Sequence, residues 1–128
     1  MRRLALDTNV LIGFLGCPER FEERFSCFDE ISISSVVLGE FRAGLFETKC
    51  GRMSRKALDL YLRNPAVKVA PITDGTAAFY AKVFQELRAK GCPIPTNDMW
   101  IAASALEVGA TLATEDRHFS DVPMLQLV

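Results

Sequence analysis

Short apolar runs alternate with longer amphipathic stretches along the chain, and this alternation predicts strands that alternate with helices. Such an order is typical of a parallel sheet with right-handed crossovers, so the pattern predicts one three-layer α/β domain over residues 1–128. The predicted strands cover 4–6, 31–33, 67–70, 111–114 and 124–127. The predicted helices cover 8–15, 19–28, 35–46, 52–63, a stretch from 74 or 76 past 87, and 97–108.

Polar residues with helix-capping side chains stand before several of these helices. Thr8 and Asn9 follow the first strand, Ser34 or Ser35 precedes the third helix, and Thr96 precedes the last one. Side chains of these types accept hydrogen bonds from the free amides of the first helical turn. We therefore expect helices to begin at these positions.

Composition limits the classes of function. The chain has 128 residues, 49% of them hydrophobic, and a net charge of −1, so long-range attraction to nucleic acid is not expected and any such binding must use a local patch. One candidate patch is the polar face of the helix over 52–63; a solvated helix face without a ligand is the alternative. Its basic residues are Arg52, Arg55, Lys56 and Arg63.

Four scattered cysteines without C-x-x-C spacing and a single histidine, His118, argue against a zinc site. Reduced thiols indicate a cytoplasmic protein. A signal peptide at the start is disfavoured because Asp7 would interrupt its apolar region, and no apolar run approaches the ~20 residues of a membrane span. We expect His118 to be a loop residue rather than a catalyst.

Acidic residues fall where one edge of the predicted sheet should be. Asp7 ends the first strand, Asp116 follows the fourth, and Asp98 lies in the first turn of a helix that starts at the same edge. Glu40 sits in an apolar helix about 9 Å along the axis from that edge. Each acid taken alone also fits a turn, a cap, a helix dipole or a surface ion pair, but together they predict one site.

Converging carboxylates need a counter-charge. Two of them ~4 Å apart repel by about 4 kcal/mol at an effective dielectric near 20, so a cation between them is favoured. Oxygen ligands without paired cysteines indicate Mg²⁺ or Mn²⁺. Such an ion polarises phosphoryl oxygens and lowers the pKa of bound water, so the pattern is typical of phosphate chemistry.

The segments LDTNVLI, SVVLGEFRAGL, PIPTNDMWIAASAL and LATEDRHF resemble, in order and spacing, those of the PIN-domain ribonucleases, and within them the VapC toxins of bacterial toxin–antitoxin pairs. The resemblance implies a five-stranded parallel sheet of order 3-2-1-4-5 and Mg²⁺- or Mn²⁺-dependent cleavage of RNA. It also implies a homodimer and a VapB-like antitoxin. By motif, the catalytic and metal-binding residues are Asp7, Glu40, Asp98 and Asp116, supported by Thr8, Asn97 and Thr114; Glu115 is expected to point away.

Other classes make different predictions. A housekeeping PIN nuclease would lack an antitoxin, and a non-catalytic α/β interaction domain would have diverging acids. A phosphoacceptor receiver domain needs an aspartate after the third strand, where this chain has Ala70, Pro71 and Ile72. A D-x-D phosphatase needs an acid at Asn9, and a dinucleotide-binding domain needs G-x-G-x-x-G, which is absent from the sequence.

Overall fold

Four parallel strands form the centre of the computed structural model, which describes residues 1–47 and 51–128. The strands are β1 (Arg3–Leu6), β2 (Glu30–Ser34), β3 (Val67–Ala70) and β4 (Thr111–Ala113). Their order is β3-β2-β1-β4, and each neighbouring pair is parallel. The predicted parallel α/β fold is confirmed, and the switch point lies between β1 and β4, where chain crossovers leave in opposite directions.

The predicted fifth strand is reduced to a single bridge. Leu127 pairs in parallel with Leu112 of β4, at the position that the order 3-2-1-4-5 gives to a fifth strand. The Val128 N–H donates to the Leu112 carbonyl at 3.0 Å. A longer strand does not form because Met124 has a φ of 65°, which is left-handed rather than extended.

Six α-helices pack around the sheet in the described residues. They are α1 (Thr8–Gly16), α2 (Glu22–Phe25), α3 (Ser35–Gly44), α4 (Gly51–Leu62), α5 (Asp74–Lys90) and α6 (Thr96–Glu107). The predicted helix over 19–28 is wrong: a 3₁₀ turn over Pro18–Arg20 and the single turn α2 replace it. The buried ring of Phe21 lies between them, so tertiary packing outweighs helix propensity there. No helix in these residues is long and apolar enough to cross a bilayer.

Helix starts follow the sequence only partly. The Ser34 hydroxyl caps α3 as predicted, because it accepts a hydrogen bond from the Val37 N–H at 3.1 Å. Thr96 is not a cap but the first residue of α6, with Pro95 in the capping position. Helix α5 begins at Asp74, the earlier of its two predicted starts, and Thr73 caps it.

Helix α6 is buried on nearly every side, and its first turn lies at the carboxyl edge of the sheet. It contacts α5 as well as β2 and β4, and small side chains allow this close approach. Gly91, with a φ of 69°, ends α5 and lets the chain turn back toward the start of α6. The buried positions of α6 are Met99, Ile101, Ala102, Ala103, Ser104 and Ala105. As a result, the first turn of α6 has a fixed place beside the ends of β1 and β4.

Candidate metal centre

The ends of β1 and β4 lie side by side and place the first acid. Leu6 and Ala113 are in register, and the Asp7 N–H donates to the Ala113 carbonyl at 3.0 Å. Directly beyond this pair, the Thr114 hydroxyl donates to Asp7 Oδ2 at 2.7 Å. The switch point therefore aligns a carboxylate and a hydroxyl from two separate strands.

Asp7 is almost fully buried, with 6% of its surface exposed. Its Oδ1 accepts a hydrogen bond from the Thr8 N–H at 2.8 Å, so Asp7 itself caps α1, rather than Thr8 or Asn9 as predicted. Burial raises the pKa of Asp7; the bonds from Thr114 and Thr8 lower it less, and the charges of Asp116 and Glu40 raise it further. An ionised Asp7 is thus an unfavourable charge that a nearby cation would stabilise.

Glu40 reaches the same place from α3. The Thr8 hydroxyl donates to Glu40 Oε1 at 2.8 Å, while the Thr8 backbone N–H donates to Asp7 Oδ1. One threonine therefore fixes two acids that come from different elements. The six-residue offset along α3 is spanned by the longer glutamate side chain, as predicted from the sequence.

Asp116 lies at the start of the 3₁₀ turn Arg117–Asp121. Its N–H donates to the Thr114 hydroxyl at 3.0 Å, and its Oδ1 accepts from the His118 N–H at 2.9 Å. The turn is anchored by Phe119, which is fully buried, whereas Glu115 is exposed. The orientation of Asp116 is therefore set on both sides by hydrogen bonds.

Asp98, in the first turn of α6, completes the group. His118 Nδ1 lies 3.3 Å from Asp98 Oδ2 and 3.2 Å from Asp116 Oδ1, so the imidazole stands between two acids. Burial raises the pKa of Asp98, the hydrogen bond with His118 lowers it less, and the charges of Asp116 and Asp7 raise it. Asp98 thus experiences the negative charge of the other acids.

All four predicted acids converge at one edge of the sheet. They are joined in one connected series of side-chain and backbone contacts that runs Glu40, Thr8, Asp7, Thr114, Asp116, His118, Asp98. His118 is the member that the sequence interpretation missed. Its position two residues after Asp116 could have indicated this contact. When an aspartate caps a turn, its carboxylate accepts a hydrogen bond from the residue two positions later, which brings that residue close to it.

Other predicted site residues lie outside this series. Asn97 is exposed, and among the described residues no hydrogen bond joins it to the acids. Arg55 and Lys56 on α4 are exposed, as is Arg63 directly after the helix, whereas Leu58 on α4 is fully buried. The side chain of Arg52 falls outside the described part of the protein.

The donor set fits a divalent cation. Asp98, Asp116 and His118 each offer a ligand atom, and these atoms lie within 4.8 Å of one another. Burial, and after it the neighbouring carboxylates, raise the pKa values of Asp7 and Asp98, so a cation would stabilise their ionised forms. Carboxylate oxygens dominate the set, which suits Mg²⁺ or Mn²⁺.

A short parallel sheet with a carboxylate cluster at its switch point places the chain among α/β proteins with an acidic site beyond the carboxyl ends of their strands. The model of the PIN domain family matches residues 4–125. The chain therefore belongs to the PIN domain family, and its similarities within that family are to VapC proteins.

The relatives support this placement over the whole chain. Ribonuclease VapC4 of Mycobacterium tuberculosis is 30% identical over 129 residues, which cover 100% of this chain and 97% of the relative. The structure of VapBC2 from Rickettsia felis, bound to a promoter DNA fragment, has a TM-score of 0.83 and 27% identity and covers 98% of this chain and 97% of that one. VapBC-5 of M. tuberculosis, described as a member of the VapBC family of toxin–antitoxin systems, has a TM-score of 0.76, 25% identity and coverage of 100% and 98%. The predicted resemblance to VapC is confirmed.

Proposed function

We propose that this protein is an endoribonuclease, the toxin of a toxin–antitoxin pair, which hydrolyses RNA phosphodiester bonds with Mg²⁺ or Mn²⁺ in a single domain of residues 1–128. The observation that carries the proposal is the convergence of four acidic side chains, held by hydrogen bonds, at the switch point of the sheet. Relatives that bear the name ribonuclease, such as the VapC4 of M. tuberculosis, support it.

Asp7, Asp98 and Asp116 would hold the ion. When bound, a divalent cation polarises a phosphoryl oxygen and lowers the pKa of water, so no histidine base is needed. The hydrogen bonds from Thr114 and Thr8 keep Asp7 in one orientation before any ligand arrives, so little reorganisation is required on binding.

Glu40 is positioned to accept a proton. Its Oε1 accepts the hydrogen bond of the Thr8 hydroxyl, and among the described residues no donor contacts its Oε2. We assign Oε2 the role of accepting a proton from the attacking water, while Oε1 keeps the side chain in position.

The RNA would be held by the basic face of α4. Arg55 and Lys56 are exposed on this helix and Arg63 is exposed directly after it, and Arg52 belongs to the same predicted face. A local basic face compensates for a chain whose net charge is −1 and whose reaction centre is acidic. These residues are proposed to contact phosphates rather than bases, which positions RNA without reading its sequence.

A VapB-like antitoxin, a homodimer and a cytoplasmic location complete the proposal. The solved neighbours are VapBC complexes, which supports a small protein partner. Exposed apolar side chains on the early helical segments, Ile12 and Phe46, are candidate contacts for that partner. The alternative of a housekeeping PIN nuclease predicts a protein that needs no antitoxin for the host to tolerate it.

Cleavage of total cellular RNA by the purified, antitoxin-free chain tests the proposal. We expect cutting with Mg²⁺ or Mn²⁺, none with chelator, and at least a ~100-fold lower rate for Asp7→Asn, since lost metal stabilisation is worth several kcal/mol. Asp59→Asn, which removes an exposed acid on α4, is the matched control. Equal cleavage by Asp7→Asn, or no cleavage by the wild type, would refute the mechanism.

A further inference from the structure

The only histidine of the chain stands in the metal centre rather than in a free loop. Its Nδ1 lies 3.3 Å from Asp98 Oδ2 and 3.2 Å from Asp116 Oδ1. Adjacent ligand atoms around a six-coordinate ion with bonds of ~2.1 Å are themselves about 3 Å apart. The imidazole nitrogen and its two acidic neighbours therefore already have separations close to those of ligands that share one ion.

The backbone holds this imidazole in place. The backbone N–H of His118 donates to Asp116 Oδ1 at 2.9 Å, and the next residue, Phe119, is fully buried. The side chain of His118 is nevertheless 52% exposed, so binding an ion at its ring carries little desolvation cost. The backbone therefore fixes His118 at a position where its ring contacts both acids.

We propose that His118 is an additional ligand of the metal centre, through Nδ1, and that it shifts the preference of the centre from Mg²⁺ toward transition metals such as Mn²⁺. The proposal rests on the metal centre of the proposed function and names one ligand beyond the three aspartates that would hold the ion. Imidazole binds transition metals well, whereas Mg²⁺ strongly prefers oxygen, so one nitrogen changes selectivity more than it changes total affinity.

Electron paramagnetic resonance with Mn²⁺ alone, on protein without a histidine tag, gives a readout independent of catalysis. Because the chain has one histidine, any ¹⁴N coupling from a directly bound imidazole must come from His118. We expect this coupling in the wild type and its loss in His118→Ala. In parallel, the Kd for Mn²⁺ should rise by about 10-fold, while the Kd for Mg²⁺, measured by competition, should change less.

Two variants serve as controls. His118→Asn offers an oxygen at similar reach, so it should regain Mn²⁺ affinity without regaining the ¹⁴N coupling. Ser120→Ala changes the same turn at an exposed hydroxyl that donates only to the Arg117 carbonyl, and it should bind both ions like the wild type. Loss of affinity in Ser120→Ala equal to that in His118→Ala would assign the effect to the turn and overturn the proposal.

One result would overturn the assignment of His118 as a ligand but not the proposed function. In it the wild type binds Mn²⁺ without ¹⁴N coupling from imidazole, and His118→Ala has the same Kd for Mn²⁺. RNA cleavage by that wild type would leave the proposed function standing. Equal cleavage by Asp7→Asn would instead remove the proposed function. Since the coupling is measured on the wild type, the ligand assignment remains testable if a variant does not fold.

Discussion

Thr114→Val removes a hydroxyl that serves two acids while it keeps the shape of the side chain. The Thr114 hydroxyl donates to Asp7 Oδ2 at 2.7 Å and accepts from the Asp116 N–H at 3.0 Å. The bond to a charged acceptor contributes about 1.5–3 kcal/mol and the bond from an amide about 0.5–1.5 kcal/mol. Because Thr114 is only half-buried, water replaces part of the second bond, and we expect a loss of about 2–3 kcal/mol in unfolding free energy.

Thermal unfolding in chelator, followed by circular dichroism, measures this loss. For a chain of this size it corresponds to a decrease in Tm of roughly 6–12 °C. The bond from Thr114 lowers the pKa of Asp7, so in the variant that pKa rises further above its ordinary value of 3.8. The stability difference between the two proteins should therefore be largest at neutral pH and shrink as pH falls through the folded pKa of Asp7.

Thr114→Ser provides the matched control. It keeps the hydroxyl and loses one methyl group, which is worth about 0.8 kcal/mol when fully buried. The serine variant should therefore recover most of the stability and most of the cleavage rate. The reasoning would be refuted if the valine variant were as stable as the wild type at neutral pH, or if the serine variant lost as much as the valine variant.

Three further changes test other parts of the structure. In chelator, Asp98→Asn should raise Tm. The gain over wild type should grow as pH rises from 3.8 through the raised pKa of Asp98, because in that range the folded wild type binds more protons than the unfolded chain. A lower Tm of the variant at neutral pH would contradict this. Phe119→Ala should lower the free energy of unfolding, measured in urea, by about 3–5 kcal/mol and abolish cleavage, because this fully buried ring anchors the turn that carries Asp116 and His118. A loss of stability without a loss of cleavage would show that the turn is not needed for the site. Arg55→Glu with Lys56→Glu should raise KM and flatten the salt dependence of cleavage, whereas Lys82→Glu, an exposed control on α5, should not; equal effects would argue against an RNA contact on α4.

The place of the acids could be predicted because it depends on local patterns. Apolar runs mark the strands, and parallel strands end at one edge, so Asp7 and Asp116 had to lie near each other. The way in which they are held could not be predicted. Thr8 bonds Glu40 across 32 positions, and periodicity carries no information on side-chain bonds between such distant segments.

Short segments account for the differences from the expected fold. The helix expected over 19–28 is interrupted because Phe21 enters the core, and the fifth strand stops at a bridge because Met124 leaves the extended region. His118, expected in a loop, lies in the 3₁₀ turn Arg117–Asp121, and its side chain contacts Asp98 and Asp116 because Asp116 caps that turn. In each case a tertiary contact or one backbone angle decides against the local pattern.

The hydrogen bond between Asp7 and Thr114 joins residues 107 positions apart, near opposite ends of the PIN domain. Such a contact has a large loop-closure cost and forms late, after the segments between have found their places. During synthesis on the ribosome, a nascent chain that already contains Asp7, Glu40 and Asp98 still lacks β4 and the partner residue of Asp7. The acidic centre is therefore assembled only after β4 and Thr114 have been translated, and a product terminated before β4 would be without it.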